Sequence, residues 1–342
     1  MNFFSRARTN ILSWMHETPL PSSDQAYSKF QSWHHFDPVQ QWIPTRSNNT
    51  NEPARSTNEG DPSNLVLLTW NIDATSSRTQ ERVTEIVTFI TGLDPKVHVV
   101  FLQEVSRPAL QQILNDDRIR GSWLSSERDD TSWGKQSFAT MILVSKARFA
   151  LDSDSGMSNA TLGPIWRVKY PSHFDRDALC CDIFAISPRE SEPSSTTRIR
   201  LVNVHLDSLP MNPSHRSRQI SIVSSFLCAT GRGLVAGDFN PVLKDDATLI
   251  EDSGLDVWTS LHSEDPGYTW GVDGEQPFPR NRLDKVAVLG LSPYSIKTLK
   301  PKRLSNLDES KSQQESQQAG RAEEVPWSDH HALLCSFGLF AK

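Results

Sequence analysis

The chain has 342 residues, enough for one large domain or two small ones, and a formal charge of −6 from 35 Lys and Arg against 41 Asp and Glu. That balance excludes a protein that coats DNA or anionic membrane through bulk charge, so any nucleic-acid contact must be a local patch. Apolar residues make up only 37%, low even with glycine added, which points to stretches that do not pack.

Met1–His16 carries Arg6 and Arg8 and no acid before Glu17, the composition of a frayed terminus or of a mitochondrial transit peptide. The rest of an N-terminal extension, 1–47, holds Phe30, Trp33, Phe36, Trp42 and Ile43, too aromatic for a free tail, and is expected to lie against the main domain. Residues 48–64 (NNTNEPARSTNEGDPSN) are polar and aperiodic and read as a flexible linker, because they have no apolar surface to offset their ordering entropy.

From 65 to the C-terminus at 342, short apolar runs alternate with loops. Leu65–Trp70, Val97–Leu102, Ala139–Ser145, Ala178–Ile186, Ile199–His205, Gly233–Gly237, Arg282–Leu289 and His331–Phe337 read as strands, several apolar throughout and so buried on both faces. Val83, Ile86, Val87 and Ile90 mark one helix. A second starts at Ser106 with Pro108 in its first turn, and a third near Pro213–Ala229 is expected to bury Ile220, Val223 and Leu227. Residues 303–324, rich in Ser, Gln and Glu, read as a mobile loop. No glycine-rich fingerprint follows any strand. The expected fold class is therefore α/β, a four-layer α/β sandwich of two stacked mixed β-sheets flanked by helices.

The four cysteines include the adjacent Cys180 and Cys181; they suit neither a disulfide framework nor a zinc site and indicate a reducing, intracellular compartment, nuclear or cytoplasmic. No apolar run of about 18 residues is present to span a membrane.

Chemistry is expected at the strand ends. Asn71 follows one strand, Gln103-Glu104 another, His205 a third, and Gly237-Asp238-Phe239-Asn240 a fourth, while Asp329-His330 precede the last. Singly, each is commonly a turn former or an ordinary surface residue. Glu104, directly after six apolar residues, is harder to dismiss: a carboxylate at the rim of a buried strand needs a partner, and a divalent cation is a good one. Asp238 and Asn240, two apart on an extended segment, would share a face, and Asp284 could hold one nitrogen of His330. No Ser or Cys sits in a nucleophile-elbow or Cys/His pattern, so no covalent intermediate is expected.

In order, Thr69-Trp70-Asn71, Leu102-Gln103-Glu104, His205-Leu206-Asp207-Ser208, Gly237–Asn240, Arg282-Leu283-Asp284-Lys285 and Ser328-Asp329-His330 resemble the motifs of the endonuclease/exonuclease/phosphatase (DNase I-like) superfamily, over roughly Leu65 to Phe340. Thr69–Asp73, Tyr268-Thr269-Trp270 and Arg282-Leu283-Asp284-Lys285 are most similar to its tyrosyl-DNA phosphodiesterase 2 branch. The resemblance implies a Mg²⁺-dependent (or Mn²⁺-dependent) phosphodiesterase acting as a monomer on 5′-phosphodiester linkages at DNA ends, tyrosyl adducts in DNA repair above all. The alternatives are a small phosphoester (an inositol phosphate, a nucleotide or a phospholipid head group) and, in another class, a catalytically silent binding module that keeps the fold as a scaffold. The resemblance implies Glu104 as the metal ligand, with Asn71 and Asp329 completing the site, and Asp238, partnered by Asn240, activating the water. His330, oriented by Asp284, and His205 would donate to phosphate oxygens. Trp270 and Tyr268 offer stacking surface for a base or an aromatic leaving group, and Arg216 is either an anion contact or part of a solvated turn. Where that branch carries an arginine-bearing stretch after Gly-Asp-Phe-Asn, this chain has Pro241-Val242-Leu243-Lys244-Asp245.

Overall fold

A computed structural model describes residues 26–45, 63–149, 160–186, 196–246, 250, 255–304 and 324–340. The expected transit segment, residues 46–62 of the expected extension and linker, and residues 305–323 of the expected loop lie outside them. The described chain forms two stacked mixed sheets. One has the order β1 (Tyr27–Gln31), β8 (Ala160–Lys169), β9 (Asp177–Ile186), β10 (Thr196–His205), β11 (Gly233–Asp238), β12 (Asp284–Leu289). The other runs β13 (Ser292–Leu299), β14 (Ala332–Gly338), β4 (Asn64–Asn71), β5 (Val99–Ser106), β7 (Phe138–Ser145), β6 (Trp123–Ser125), β2 (His34–Asp37), β3 (Gln41–Pro44). Only β10–β11 and β4–β5 pair in parallel; the other pairs are antiparallel.

Strand alternation explains the unbroken apolar runs. In β4, Leu65 and Leu67 point between the sheets, toward Leu179, Cys181, Leu201, Leu234 and Val286 of the facing sheet. Val66, Leu68 and Trp70 point outward, under Val83, Ile86, Val87 and Ile90 of helix α1 (Thr79–Gly92), Leu110 and Ile113 of α2 (Arg107–Asn115) and Ile119 of α3 (Asp117–Ser122). On the far side, α4 (Arg216–Thr230) covers Val202, Val204 and Val235. Four layers result: helices, sheet, sheet, helix. A short helix, α5 (Val257–Leu261), lies against β12 and β13.

Several details differ from expectation. The buried stripe of α4 is Ile222, Val223, Phe226 and Leu227, with Ile220 only half-buried. β5 does not end at Leu102 but continues through a bulge to Ser106, whose hydroxyl caps α2. The aromatic N-terminal residues are built into both sheets: β1 pairs with β8, β2 with β6, and Trp33 is buried in the inter-sheet core. Arg303, expected at the start of the loop, is tied by a bridge to Pro326.

Polar side chains also cross between the sheets. Arg167 of β8 is buried and donates to Asp177 at 2.8 Å, to Glu127 at 2.7 Å and to the Thr140 carbonyl at 2.7 Å. Truncating it would leave two buried carboxylates without their cation, so Arg167→Ala should destabilise the fold by about 3–5 kcal/mol, read from urea unfolding. A loss under about 1 kcal/mol would mean that Lys169, 2.9 Å from Asp177, compensates. Among the described residues no helix is long and apolar enough to cross a membrane, and all four cysteines are free thiols.

Candidate active site

The C-terminal ends of β4, β10 and β11, the bulge of β5 and the N-terminal end of β12 meet at one edge of the sandwich. Within one sheet, His205 pairs with Asp238 and Asp238 with Asp284 across three neighbouring strands. The facing sheet supplies Asn71 and Glu104. Asn71 joins the two halves, because its amide nitrogen donates to Glu104 at 3.2 Å and to Asp238 at 3.0 Å. Its amide oxygen accepts from the Asp73 N–H at 3.0 Å, which fixes which end faces the acids.

Glu104 owes its direction to the bulge. Between Leu102 and Val105 the register with β7 shifts, and Glu104 takes φ 55°, a left-handed value that costs a non-glycine residue energy and recurs at functional sites. The carboxylate is anchored by the Ala74 N–H at 2.9 Å. Beneath it, Gln103 donates to Thr69 at 3.0 Å and across the core to Asn203 at 2.8 Å, while Asn203 donates to the carbonyls of Leu102 and Met141.

Asp238 is buried and accepts from the Asn240 N–H at 2.9 Å. The expectation of an extended Asp-x-Asn face needs correction: β11 ends at Asp238, and Asn240 has φ 46° in an Asx turn, its amide donating to the Leu206 carbonyl. Asn240 therefore shapes the turn and supports Asp238 from below. Burial, reinforced by Asp284 and Glu104 against the lowering effects of His330 and Asn71, pushes the Asp238 carboxyl up to about 7.

His330 donates from Nδ1 to Asp284 at 2.7 Å, and its Nε2 stands 4.0 Å from both Asp238 and Asp329. Burial alone would strip its proton, but Asp284, Asp238 and Asp329 outweigh it and hold the imidazole charged well above the ordinary histidine range. The pair is set by neighbours: Thr269 Oγ1 accepts from the backbone of Leu283 and Asp284, Ser328 bridges the Asn71 carbonyl and the His330 N–H, and Trp70 donates to the His330 carbonyl.

His205 is the opposite case. Burial first, then the Arg176 guanidinium and His330, press its pKa well below the ordinary value. Arg176 lies against the ring edge, hydrogen-bonded to Nδ1 and 2.9 Å from Nε2; since a guanidinium only donates, the nitrogen facing it must be bare. The neutral ring keeps one N–H, and Nε2 stands 3.5 Å from Asp238 and 3.8 Å from Glu104, two acceptors for it. Arg176 is itself buried, over the Phe138 ring at 4.8 Å and 3.4 Å from the Ser208 hydroxyl. Sequence reading missed it, because it belongs to no strand-end motif; its only signal was Asp175-Arg176-Asp177 directly before an apolar strand.

The remaining expected residues separate. Trp270 is at the site, donating to Asp329 at 2.8 Å. Tyr268 lines a neighbouring cavity of about 380 Å³ with Pro241, Asn281 and Lys285, and Arg280 covers its ring at 4.8 Å. Arg216 is neither an anion contact nor solvated: it is buried, paired with Asp246 at 2.7 Å and donating to the carbonyls of Asp207 and Leu209.

The donor set fits a hard divalent cation. Glu104 and Asp329 offer only oxygen ligands on this side, with Asp73 close by, while Asn71 turns its amide nitrogen, not its oxygen, toward Glu104 and so orients that carboxylate. Burial, with Asp73 and Glu104, raises the Asp329 carboxyl despite His330 and Trp270; with Asp238 raised as well, the cleft holds more buried negative charge than His330 and Arg176 balance.

A search of curated proteins finds no match. Among solved structures, D. rerio TDP2 complexed with single-strand DNA product superposes with TM-score 0.57 at 19% identity, over 80% of this chain and 99% of that one. TDP2 from C. elegans gives 0.54 at 20%, over 81% and 75%. An endonuclease/exonuclease/phosphatase family protein from Bacteroides thetaiotaomicron gives 0.53 at 13%, over 82% and 98%. These likenesses establish a shared DNase I-like fold. The family model for the Endonuclease/Exonuclease/phosphatase family matches residues 68–331, a span that contains every residue of the cleft, and the chain belongs to that family of phosphoester hydrolases.

Proposed function

We propose that this protein is a Mg²⁺-dependent or Mn²⁺-dependent phosphodiesterase that hydrolyses 5′-phosphodiester linkages at DNA ends, with 5′-tyrosyl adducts as its substrate. The observation that carries the reading is the Asn71 amide shared between Glu104 and Asp238, which brings together in one cleft the carboxylates we assign to the cation and to the attacking water. The fold shared with TDP2, in one case bound to a single-strand DNA product, supports the choice of substrate.

Glu104 and Asp329 would hold the cation, with Asn71 fixing Glu104 through its amide nitrogen. When bound, it supplies Lewis-acid polarisation of a phosphoryl oxygen and charge for the leaving oxyanion. Asp238 takes a proton from the attacking water, a task for which a carboxyl held near neutrality is matched. His330, charged and fixed by Asp284, and the neutral N–H of His205 donate to phosphate oxygens as negative charge builds, with Arg176 beside them as a permanent cation. Trp270 does two things: its indole N–H aims Asp329, and its half-buried ring is available for stacking a terminal base or a tyrosyl leaving group.

Incubation with a 5′-phosphotyrosyl oligonucleotide should release tyrosine with Mg²⁺ or Mn²⁺ and not with EDTA. Glu104→Gln should abolish Mg²⁺ binding in calorimetric titration. The rate on DNA should fall as salt rises, through counterion displacement. A second reading, a small phosphoester substrate, is favoured by the compact cavity at Tyr268, Asn281 and Lys285. Metal-dependent turnover of a small ester, indifferent to salt, with no tyrosine released from DNA, would establish it in place of the first.

A further inference from the structure

Beside the cleft, the loop entering α4 meets the segment that carries Arg176, and three side chains with metal-binding atoms come together there: His173, Asp207 and His215, whose ligand atoms all lie within 4.8 Å of one another. None takes part in the hydrolytic arrangement above. Asp207 is buried and held on all sides by neutral donors. One carboxylate oxygen accepts from the Ser172 hydroxyl and from the Gln219 amide at 3.0 Å. The other accepts from the His173 backbone N–H at 2.9 Å and faces His215 Nδ1 at 3.8 Å.

Each imidazole has a nitrogen to spare. His215 Nδ1 is buried with no hydrogen-bond partner among the described residues, and although His215 is the N-cap of α4, its side chain makes no capping bond. His173 Nε2 is 3.0 Å from the Pro213 carbonyl. A carbonyl only accepts, so Nε2 carries the proton and Nδ1 keeps its lone pair. A carbonyl on the distal nitrogen is also the usual way in which a ligating histidine has its tautomer set. The two rings are stacked, with centroids 4.1 Å apart and planes 11° from parallel. Stacked face to face, the rings must turn to share one ion, and His173, exposed at the surface, has the room to turn about its contact with the Pro213 carbonyl.

We propose that His173, Asp207 and His215 form a transition-metal site of the Zn²⁺ class, with its fourth position open to solvent. Two imidazoles and one carboxylate suit Zn²⁺, Co²⁺ or Ni²⁺, whereas the oxygen-only donors of the cleft suit Mg²⁺. A bound ion ties segment 171–176 to loop 206–215, and so holds Arg176 and Ser208 in register at the cleft wall. The site is independent of the substrate assigned to the enzyme.

The test is calorimetric titration of the Glu104→Gln protein with Zn²⁺, with Co²⁺ as a spectroscopic probe. The expected result is one Zn²⁺ per chain, a tetrahedral-type visible spectrum with Co²⁺, and affinity lowered at least about tenfold by His173→Ala and by His215→Ala. His173 is on the surface, so His173→Ala made in the chain with Glu104 intact should melt as that chain does without Zn²⁺ and should retain its Mg²⁺-dependent hydrolysis. No micromolar Zn²⁺ binding, or binding that both histidine variants leave unchanged, would overturn the assignment and leave the three residues as a stacked, hydrogen-bonded surface cluster.

Discussion

Replacing Asp238 by asparagine should slow hydrolysis at least about 10²-fold and, at the same time, raise the melting temperature of the metal-free protein at pH 8. The rate falls because the amide cannot take a proton from water. Stability rises because the carboxylate is ionised in a place that resists ionisation. In the fold its pKa is pushed up to about 7, by burial first and then by Asp284; in the unfolded chain it is an ordinary aspartate, near ~4. The folded protein therefore holds this proton more tightly, and the stability it contributes is complete below the unfolded pKa and lost as the pH rises through about 7. The asparagine variant carries no ionisable group there and has no such dependence. The gap between variant and parent should open between about pH 4 and 7, reach a few kcal/mol and stay level above that. Melting curves in EDTA across this range, beside initial rates, read both effects; a parent more stable than the variant at pH 8 would remove the strained-base assignment.

Arg176→Ala should cost about 10²–10³ in kcat, the loss typical of removing one preorganised donor to a developing anion. It should also free His205, whose pKa the guanidinium helps to depress. Titration of the His205 ring signals by NMR should show an upward shift, to which the lost charge and the better hydration of the ring both contribute, and Arg176→Lys, which keeps the charge, should show less of it. Arg176→Lys restores the charge but not the fork that reaches both His205 and Ser208, so it should recover only part of the rate. A rate within tenfold of the parent for the alanine variant would confine Arg176 to a structural role.

The sequence disclosed what periodicity and strand-end chemistry can encode. Strands buried on both faces, such as β4, β5 and β11, carry unbroken apolar stretches and were legible as such. β8 was not, because Gly163-Pro164 interrupts it at a register shift and Arg167 and Lys169 break its apolar pattern. β13, at the sheet edge, buries little beyond Ile296, and so has no strong alternation to read. At the site, Glu104, Asp238, Asp284 and His330 stood out because charged residues beside buried strands need partners. Arg176 did not, since its partners, His205 and Ser208, are about thirty residues away and only the pairing of β9 with β10 brings them near. Arg216 was misread for the converse reason: a basic residue opening a helix looks solvated until its distant acid, Asp246, is placed against it.

The hydrogen bonds from Gln103 to Asn203, and from Asn203 back to Leu102 and Met141, work as a dowel driven through both halves of the molecule just under the reaction centre. Sliding one half against the other would strand several polar groups in an apolar interior, so the gap between Glu104 and Asp238 is set from underneath and not by the surrounding rim. The neighbouring cavity wall at Tyr268, which touches neither carboxylate, can then be exchanged to admit a differently shaped ester without recalibrating the bond-breaking step.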